Sequence, residues 1–309
     1  MNDSKLKNKG FAFLNEGKKT AKKNIIVLGV ARGGTSLVAG ALDSLGVFMG
    51  DQSVAPVYED VLLSSAFEGS NKNEVKKIIE DYDNRFNVWG WKRPAAVEYL
   101  EDVSREITNP HYIVIFKDIF SVANRNNISM KSDVISAMSQ AYASFGKLIE
   151  FVGDQSAPVM LVSADKVLHD KEDFVSALID FCQLNVDAAK KAKAIDFITP
   201  NPKAYLENTR ITKVVGCVDN LSRHRVSGWV YGVHHSNEVE VEVFCDGKFI
   251  ASSVASNYRK DLKDLSIHTT GMCGFDISLE NLVLPTAGAE LTVLAKDDVD
   301  ILRNGRASL

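Results

Sequence analysis

Residues 25–36 have the sequence IIVLGVARGGTS, an apolar run that is followed by a glycine-rich turn. The run from Ile25 to Val30 predicts a buried strand, and the residues from Ser36 to Leu42 predict the start of a helix. A strand, a tight turn and a helix N-terminus together direct backbone N–H groups and the positive end of a helix dipole at one point. That point is suited to a phosphate or a sulfate group.

The turn has the spacing of a Walker A phosphate loop, G-x-x-x-x-G-K-[ST], between Gly29 and Ser36. Thr35 stands where an ATP-binding loop carries its lysine, and Arg32 inside the turn supplies a cation instead. A loop that keeps its backbone cradle but moves its positive charge is not expected to hold ATP and magnesium as kinases do. The alternative is a glycine-rich turn that binds nothing, since glycine motifs alone give false positives.

The residues from Ala31 to Ser36 resemble the 5′-phosphosulfate loop of the sulfotransferases, which runs Pro, Arg or Lys, Ser, Gly, Thr and Ser or Thr. Ala31 and Gly33 replace the proline and the first serine of that pattern, and both changes leave the backbone cradle in place. The resemblance implies 3′-phosphoadenosine 5′-phosphosulfate (PAPS) as the sulfuryl donor. It places around the 5′ end of the donor the residues Arg32, Gly33, Gly34, Thr35 and Ser36.

A second cationic segment, KDIFSVANR at residues 117–125, follows a predicted apolar strand at residues 111–116. The 3′-phosphate segment of the sulfotransferases likewise follows a strand, begins with Arg-Asp-Pro and ends with a serine. Lys117 takes the place of the arginine, and Arg125 falls at the position of the serine. The resemblance therefore implies that Lys117 and Arg125 bind the 3′-phosphate of PAPS. The alternative is a pair of solvated surface cations.

The segment WGWKRP at residues 89–94 resembles the Lys-x-Pro motif of the glycan sulfotransferases. The resemblance implies that Lys92 lies near the sulfuryl group in transfer, as a catalytic residue together with Arg32. The aromatic rings of Trp89 and Trp91 are of the kind that stacks on sugar faces in a binding cleft. The alternative places both tryptophans in the core or on the surface, with Lys92 extending to water.

Tyr58, Glu59 and Asp60 match an aromatic-Glu-Asp pattern that follows the first helix in sulfotransferases. The resemblance makes Glu59 the general base that takes the proton of the acceptor hydroxyl. Asp60 is the second choice, because a carboxylate at such a position ordinarily caps a helix. No metal is expected, since cationic side chains can neutralise the charge that develops in sulfuryl transfer.

Strand-like and helix-like segments alternate from residue 24 to about residue 184. Apolar strands separated by helices predict an α/β fold, with a P-loop-like parallel sheet flanked by helices. Short strands and turns follow, including the hairpin signal Cys245-Asp246-Gly247-Lys248. They predict a small all-β sandwich, loosely similar to modules appended to bacterial glycan-processing enzymes. We therefore expect a basic, flexible leader at 1–23, a sulfotransferase-like α/β domain at 24–209 and a β-sandwich accessory domain at 210–309.

Composition and charge bear on the partners and the location of the protein. The net charge of −4 gives no reason to expect nucleic acid as a partner, and no apolar run is long enough to cross a bilayer. The leader is rich in lysine, and weak contact with acidic lipid is the alternative to a solvated tail. The four cysteines have no C-x-x-C spacing and indicate buried thiols in a reducing, cytoplasmic setting. We expect His234 and His235 to be a pair of histidines in a loop and not part of a metal site.

These patterns together predict a PAPS-dependent sulfotransferase that acts on a hydroxyl of a carbohydrate or glycolipid acceptor, in bacterial surface-polysaccharide or glycolipid synthesis. Its active site would lie at the C-terminal ends of the parallel strands. Two alternatives stay open. A P-loop nucleotide kinase would need a magnesium-binding aspartate, for which Asp118 is the candidate. A non-catalytic glycan-binding protein with a relict nucleotide fold would account for the departures from the sulfotransferase pattern.

Overall fold

The computed structural model of the chain describes residues 8–15, 20–130, 132–200, 205–206, 213–233, 236–282, 284–285, 288–296, 298 and 300–308. The chain divides into two units, Met1–Leu206 and Glu207–Leu309. The predicted domain boundary between residues 209 and 210 lies outside the described residues, as do His234 and His235.

The first unit is built on a 5-stranded sheet. Its strands are β1 (Phe11–Leu14), β2 (Lys23–Gly29), β3 (Val88–Lys92), β4 (Pro110–Phe116) and β5 (Val159–Ser163). They lie in the order β1-β5-β4-β2-β3, and the pairs formed by β2, β3, β4 and β5 are parallel. The prediction of an α/β unit with a parallel sheet is confirmed, and β1 adds an antiparallel edge.

Helices connect the strands and pack on both faces of the sheet. They are α1 (Thr35–Ser44), α2 (Val61–Glu68), α3 (Lys72–Arg85), α4 (Leu100–Glu106), α5 (Ile119–Met130), α6 (Val134–Gly153), α7 (Lys171–Cys182) and α8 (Ala188–Phe197), with a 3-10 turn at Pro94–Glu98. Successive side chains of a strand point to opposite faces. Ile26 and Leu28 of β2 therefore enter one apolar core with α2, α3, α4 and α6, while Ile25 and Val27 enter a second core with α1, α7 and α8.

Within the predicted leader at residues 1–23, Phe11–Leu14 form the strand β1. This strand pairs antiparallel with β5, and Phe11 lies opposite Val162. The ring of Phe13 stacks on Phe181 of α7, with the ring centroids 6.0 Å apart. The short apolar run is ordered because the edge of β5 supplies partners for its backbone hydrogen bonds.

The described part of the second unit consists mainly of β-strands. They are β6 (Val214–Leu221), β7 (Arg225–Gly232), β8 (Val239–Cys245), β9 (Lys248–Ala255), β10 (Asn257–Tyr258), β11 (Met272–Ser278), β12 (Glu290–Ala295) and β13 (Ile301–Ser308), with a short helix α9 (Lys260–Asp264). Their hydrogen-bonded order is β10-β11-β7-β6-β13-β12-β8-β9.

The predicted hairpin joins β8 and β9. Asp246 and Gly247 have φ angles of 49° and 74°, and a type I′ turn requires positive φ at both central residues. The hairpin prediction is confirmed. The assignment of the second unit to a β-sandwich module stays a prediction.

The cysteines of the chain all lie within the described residues and are free thiols, namely Cys182, Cys217, Cys245 and Cys273. Burial raises the pKa of the Cys182 thiol to about 12, so this thiol is protonated and inert near neutral pH. Among the helices that the structure describes, none combines the length and the apolar character needed to cross a bilayer. The cytoplasmic location stays a prediction.

Candidate functional site

The loop between β2 and α1 has the strand–turn–helix geometry that the sequence predicts. The backbone N–H of Gly33 donates to Val30 O at 3.0 Å and closes the turn. Arg32 and Gly34 have φ angles of 64° and 98°, left-handed values that lead the chain into α1. A Cβ on Gly33 would lie 2.8 Å from Val30 O, so a side chain there would open the turn. The first N–H groups of α1, which begins at Thr35, lie outside the helical hydrogen-bond ladder.

A cavity of about 440 Å³ lies beside this loop. Predicted binding residues that line it are Arg32, Gly34, Ser36, Lys117 and Arg125. They meet because β2 pairs in parallel with β4, so the loops after both strands leave the same edge of the sheet. The structure therefore brings the two predicted cationic segments into one cavity.

The predicted loop residues Gly33 and Thr35 are not among the described residues that line the cavity. Thr35 is buried, with 3% of its surface exposed, and its Cγ2 would lie 2.8 Å from a Cβ on Gly29. Gly33 has no side chain, and the space that this leaves allows the turn to close. Any contact that these residues make with an anion would come from their backbone N–H groups.

Arg125 lines the cavity from α5 and carries two buried guanidinium nitrogens. Its Nε and Nη2 atoms are buried and have no hydrogen-bond partner among the described residues. Burial, and secondly the positive charge of Arg32, lower the pKa of Arg125. Buried polar groups are normally hydrogen-bonded, and an unpaired buried charge is costly. The site therefore favours an anionic ligand that would accept from these nitrogens.

The cavity also has lining residues that the sequence patterns did not single out. Asp165 brings a carboxylate to the wall, and its Oδ2 accepts a long hydrogen bond from Asp118 N at 3.5 Å. Apolar and aromatic side chains form much of the remaining wall: Leu37, Pro56, Leu168, Phe197, Pro200, Tyr205 and Leu206. Apolar walls beside a few charged groups are typical of small-molecule sites. The helix break at Thr199 and Pro200 is a local sequence signal that could have pointed to part of this wall.

Lys92 ends β3 and is buried, with 1% of its side chain exposed. Its Nζ donates to Ser36 Oγ at 3.3 Å and to Glu59 Oε1 at 2.7 Å. Burial lowers the pKa of Lys92 to about 8, although the negative charge of Glu59 acts in the opposite direction. The ammonium group therefore lies against the predicted phosphate loop and does not extend to bulk water.

The tryptophans beside Lys92 lie in the core of the first unit. Trp89 and Trp91 are both 0% exposed, and their indole N–H groups donate to Asp83 Oδ1 at 2.8 Å and to Ser64 Oγ at 3.1 Å. The hypothesis that these rings stack on a sugar is wrong, because α2 and α3 cover this face of the edge strand β3. A sugar could reach neither ring.

Glu59 and Asp60 are adjacent in sequence but differ in their surroundings. Asp60 is 0% exposed and caps α2 through its Oδ1, while its Oδ2 accepts a hydrogen bond from Tyr82 OH at 2.8 Å. The capping alternative is confirmed for Asp60. Glu59 is 19% exposed, and its Oε1 and Oε2 accept hydrogen bonds from Lys92 and Arg93, respectively. The role of Glu59 as general base stays a prediction.

Asp118, the candidate magnesium ligand of a kinase, caps a helix. Its Oδ1 accepts a hydrogen bond from Ser121 N at 2.7 Å in the first turn of α5. Within the part of the chain that the structure describes, no group of three or more His, Cys, Asp or Glu side chains is placed to hold a metal ion.

No protein-family model matches this chain, and no curated protein matches it. The solved structures that are similar to it at low identity include the following three. The sulfotransferase domain of the Synechococcus PCC 7002 olefin synthase has 14% identity and a TM-score of 0.42, over 57% of this chain and 78% of that one. Sulfotransferase STF9 from Mycobacterium avium has 13% identity and a TM-score of 0.38, over 60% and 69%. Mouse sulfotransferase SULT7A1 complexed with PAP has 9% identity and a TM-score of 0.35, over 60% and 66%. Likenesses this distant assign no activity to the chain.

Proposed function

We propose that the first unit binds PAPS in this cavity and acts as a sulfotransferase. The observation that carries the proposal is the convergence of Arg32, Lys117 and Arg125 on one cavity, beside the N-terminus of α1. PAPS is anionic at both its 5′ and its 3′ position, and cationic loops from two neighbouring strands can bind both. The buried guanidinium nitrogens of Arg125 supply donors that a phosphate would accept.

In this proposal, the cationic residues bind the two anionic ends of PAPS and stabilise the leaving oxygen. Arg32 and the loop backbone bind the 5′-phosphosulfate, while Lys117 and Arg125 bind the 3′-phosphate. The acceptor oxygen forms a bond to sulfur as the bond from sulfur to the 5′-phosphate oxygen breaks. Lys92 and Arg32 stabilise the negative charge that grows on that leaving oxygen.

Glu59 takes the proton of the acceptor hydroxyl in this scheme. Both of its carboxylate oxygens already accept a hydrogen bond from a cation, Oε1 from Lys92 and Oε2 from Arg93. Each carboxylate oxygen has a further lone pair, so the proton can be received without displacing either hydrogen bond. After transfer, 3′-phosphoadenosine 5′-phosphate (PAP) is the leaving product.

For the acceptor, we propose a hydroxyl group of a carbohydrate or glycolipid. The support is the likeness of Lys92, Arg93 and Pro94 to the Lys-x-Pro motif of glycan sulfotransferases, together with the loose likeness of the second unit to glycan-associated modules. Trp89 and Trp91 give no support, since both are buried.

Thermal unfolding with PAP, ADP, or ATP with magnesium tests the donor. We expect PAP at about 100 times its Kd to stabilise the native state by ~2.7 kcal/mol, and to raise the Tm by several degrees more than ADP does. Stabilisation by ATP with magnesium alone would favour a kinase. No shift with any nucleotide would favour a glycan-binding protein with a relict loop.

Lys117→Ala should weaken PAP binding by about tenfold and leave ADP binding unchanged, because a partly exposed charge-assisted hydrogen bond to the 3′-phosphate is lost. Isothermal titration calorimetry with both nucleotides measures the difference. Lys147→Ala is the control, since it removes the same charge from a side chain that binds Glu98 at 2.5 Å and does not line the cavity. Equal weakening of ADP and PAP would contradict the assignment of Lys117 to the 3′-phosphate.

A further inference from the structure

A chain of ionic contacts leads from the phosphate loop toward the surface of the first unit. Its members are Ser36, Lys92, Glu59, Arg93 and Glu68, in the order in which they touch. The exposed fraction of the side chain rises along it, from 1% at Lys92 through 19% at Glu59 and 28% at Arg93 to 36% at Glu68. We call this set the ion-pair chain.

Arg93 links the two carboxylates of the ion-pair chain. Its Nη1 donates to Glu59 Oε2, and its Nε and Nη2 donate to Glu68 Oε1 and Oε2 at 2.7 and 3.0 Å. The second contact is the bidentate fork that fixes a guanidinium in one plane. Pro94 restricts the preceding residue to extended backbone, and Arg93 has φ −149° and ψ 112°. Backbone and carboxylate therefore aim the guanidinium at Glu59.

Glu59 in turn sets the position of the Lys92 ammonium. The lysine Nζ has Glu59 Oε1 at 2.7 Å and Ser36 Oγ at 3.3 Å as its partners. A glutamate held at one oxygen by Arg93 presents the other oxygen in a defined direction, whereas an unheld glutamate would sample several rotamers. The ammonium position at the start of α1 thus depends on residues that do not line the cavity.

We propose that Arg93 and Glu68 are positioning residues of the site: Arg93 holds Glu59 where it binds the Lys92 ammonium against Ser36, and Glu68 holds Arg93. The functional part of this proposal rests on the sulfotransferase function proposed above. The contacts themselves are formed in the protein without ligand.

The pKa of Lys92 depends on charged groups of the ion-pair chain, so its titration can test their arrangement. The charged groups that act on its pKa are Glu59, which raises it, and Arg93 and Arg32, which lower it, against a larger lowering by burial that brings it to about 8. If Arg93 acted only as a nearby positive charge, its removal would raise the pKa of Lys92. If Arg93 holds Glu59 on the ammonium, its removal should lower that pKa, because the stabilising contact with Glu59 is lost. Removing the charge of Glu68 leaves Arg93 less neutralised, so this change should lower the pKa of Lys92.

NMR titration of Lys92 in the full chain, with ¹³C-labelled lysine and no nucleotide, tests the proposal. We expect Arg93→Met to move the midpoint downward by about one pH unit, because Glu59 is no longer held on the ammonium, and Glu68→Gln to move it downward by less. Glu68→Gln should have little further effect in the Arg93→Met background, because it acts through Arg93. Arg105→Met is the control: it breaks an exposed ion pair to Asp102 of 2.8 Å and should leave the midpoint in place.

A second measurement connects the ion-pair chain to the site. PAP binding to the wild type should weaken as the pH rises through about 8, where the ammonium loses its proton, and in Arg93→Met this weakening should begin at a lower pH. A Lys92 midpoint that stays at the wild-type value in Arg93→Met, or that moves upward there, would overturn the proposal, because Arg93 would then act on Lys92 only as a charge. Absence of PAP binding by the wild type would contradict the proposed function, and the nucleotide-free titration would still test the positioning.

Discussion

Arg125→Met should abolish most of the affinity for PAP and at the same time stabilise the protein without ligand. The guanidinium Nε and Nη2 atoms are buried and have no hydrogen-bond partner among the described residues. Removing one member of a buried charge pair costs about 2–5 kcal/mol of binding free energy, which corresponds to a loss of roughly 30-fold to several thousand-fold in affinity. In the empty protein, removing an unpaired buried polar group should add roughly 1–3 kcal/mol to the free energy of unfolding.

Calorimetric titration with PAP and chemical denaturation of the empty protein measure the two effects. Methionine fills much of the same volume, so the apolar contacts of α5 are largely kept. Arg105→Met serves as the control, because it removes an exposed arginine outside the cavity. A variant that binds PAP as the wild type does would exclude Arg125 from the binding site. A variant that lost stability without ligand would show that the guanidinium has a structural partner.

Local sequence patterns were enough to predict the first loop. The strand, the turn and the helix start at residues 25–36 are determined by residues that are close in sequence. These are the apolar run of the strand and Gly34, which can adopt a positive φ angle. The convergence of Lys117 and Arg125 with this loop could also be predicted, since the C-terminal ends of parallel strands share one edge of the sheet. This prediction requires only that β2 and β4 pair in parallel, which the structure shows.

The features that sequence did not predict depend on distant contacts. The strand β1 is ordered by pairing with β5, far along the chain. The burial of Trp89 and Trp91 depends on α2 and α3 covering β3, which no motif around Lys92 reveals. Arg93 and Glu68 are 25 residues apart, and the sequence does not show which charged residue will form an ion pair with which.

Gly34→Ala should greatly weaken PAP binding and also destabilise the first unit. Gly34 has φ 98° at the N-cap of α1, a conformation that L side chains rarely adopt. A Cβ there would lie 2.9 Å from Ala164 Cβ, closer than carbon atoms normally pack. We expect a loss of roughly 1–3 kcal/mol in the free energy of unfolding. PAP affinity should fall at least about tenfold, because a shifted turn moves the backbone donors off the anion.

Gly146→Ala separates this conformational effect from the general effect of replacing glycine. Gly146 lies inside α6, and an added Cβ would meet no heavy atom within 4 Å. Alanine should therefore stabilise that helix by about 0.5–1 kcal/mol and leave PAP binding unchanged. Denaturation curves and PAP titrations of both variants give four quantities, and the prediction requires opposite signs for the two stability changes and a binding loss at Gly34 alone. If Gly34→Ala lost stability but bound PAP as Gly146→Ala does, a displaced turn would still allow binding, and the backbone cradle could not be the anion site.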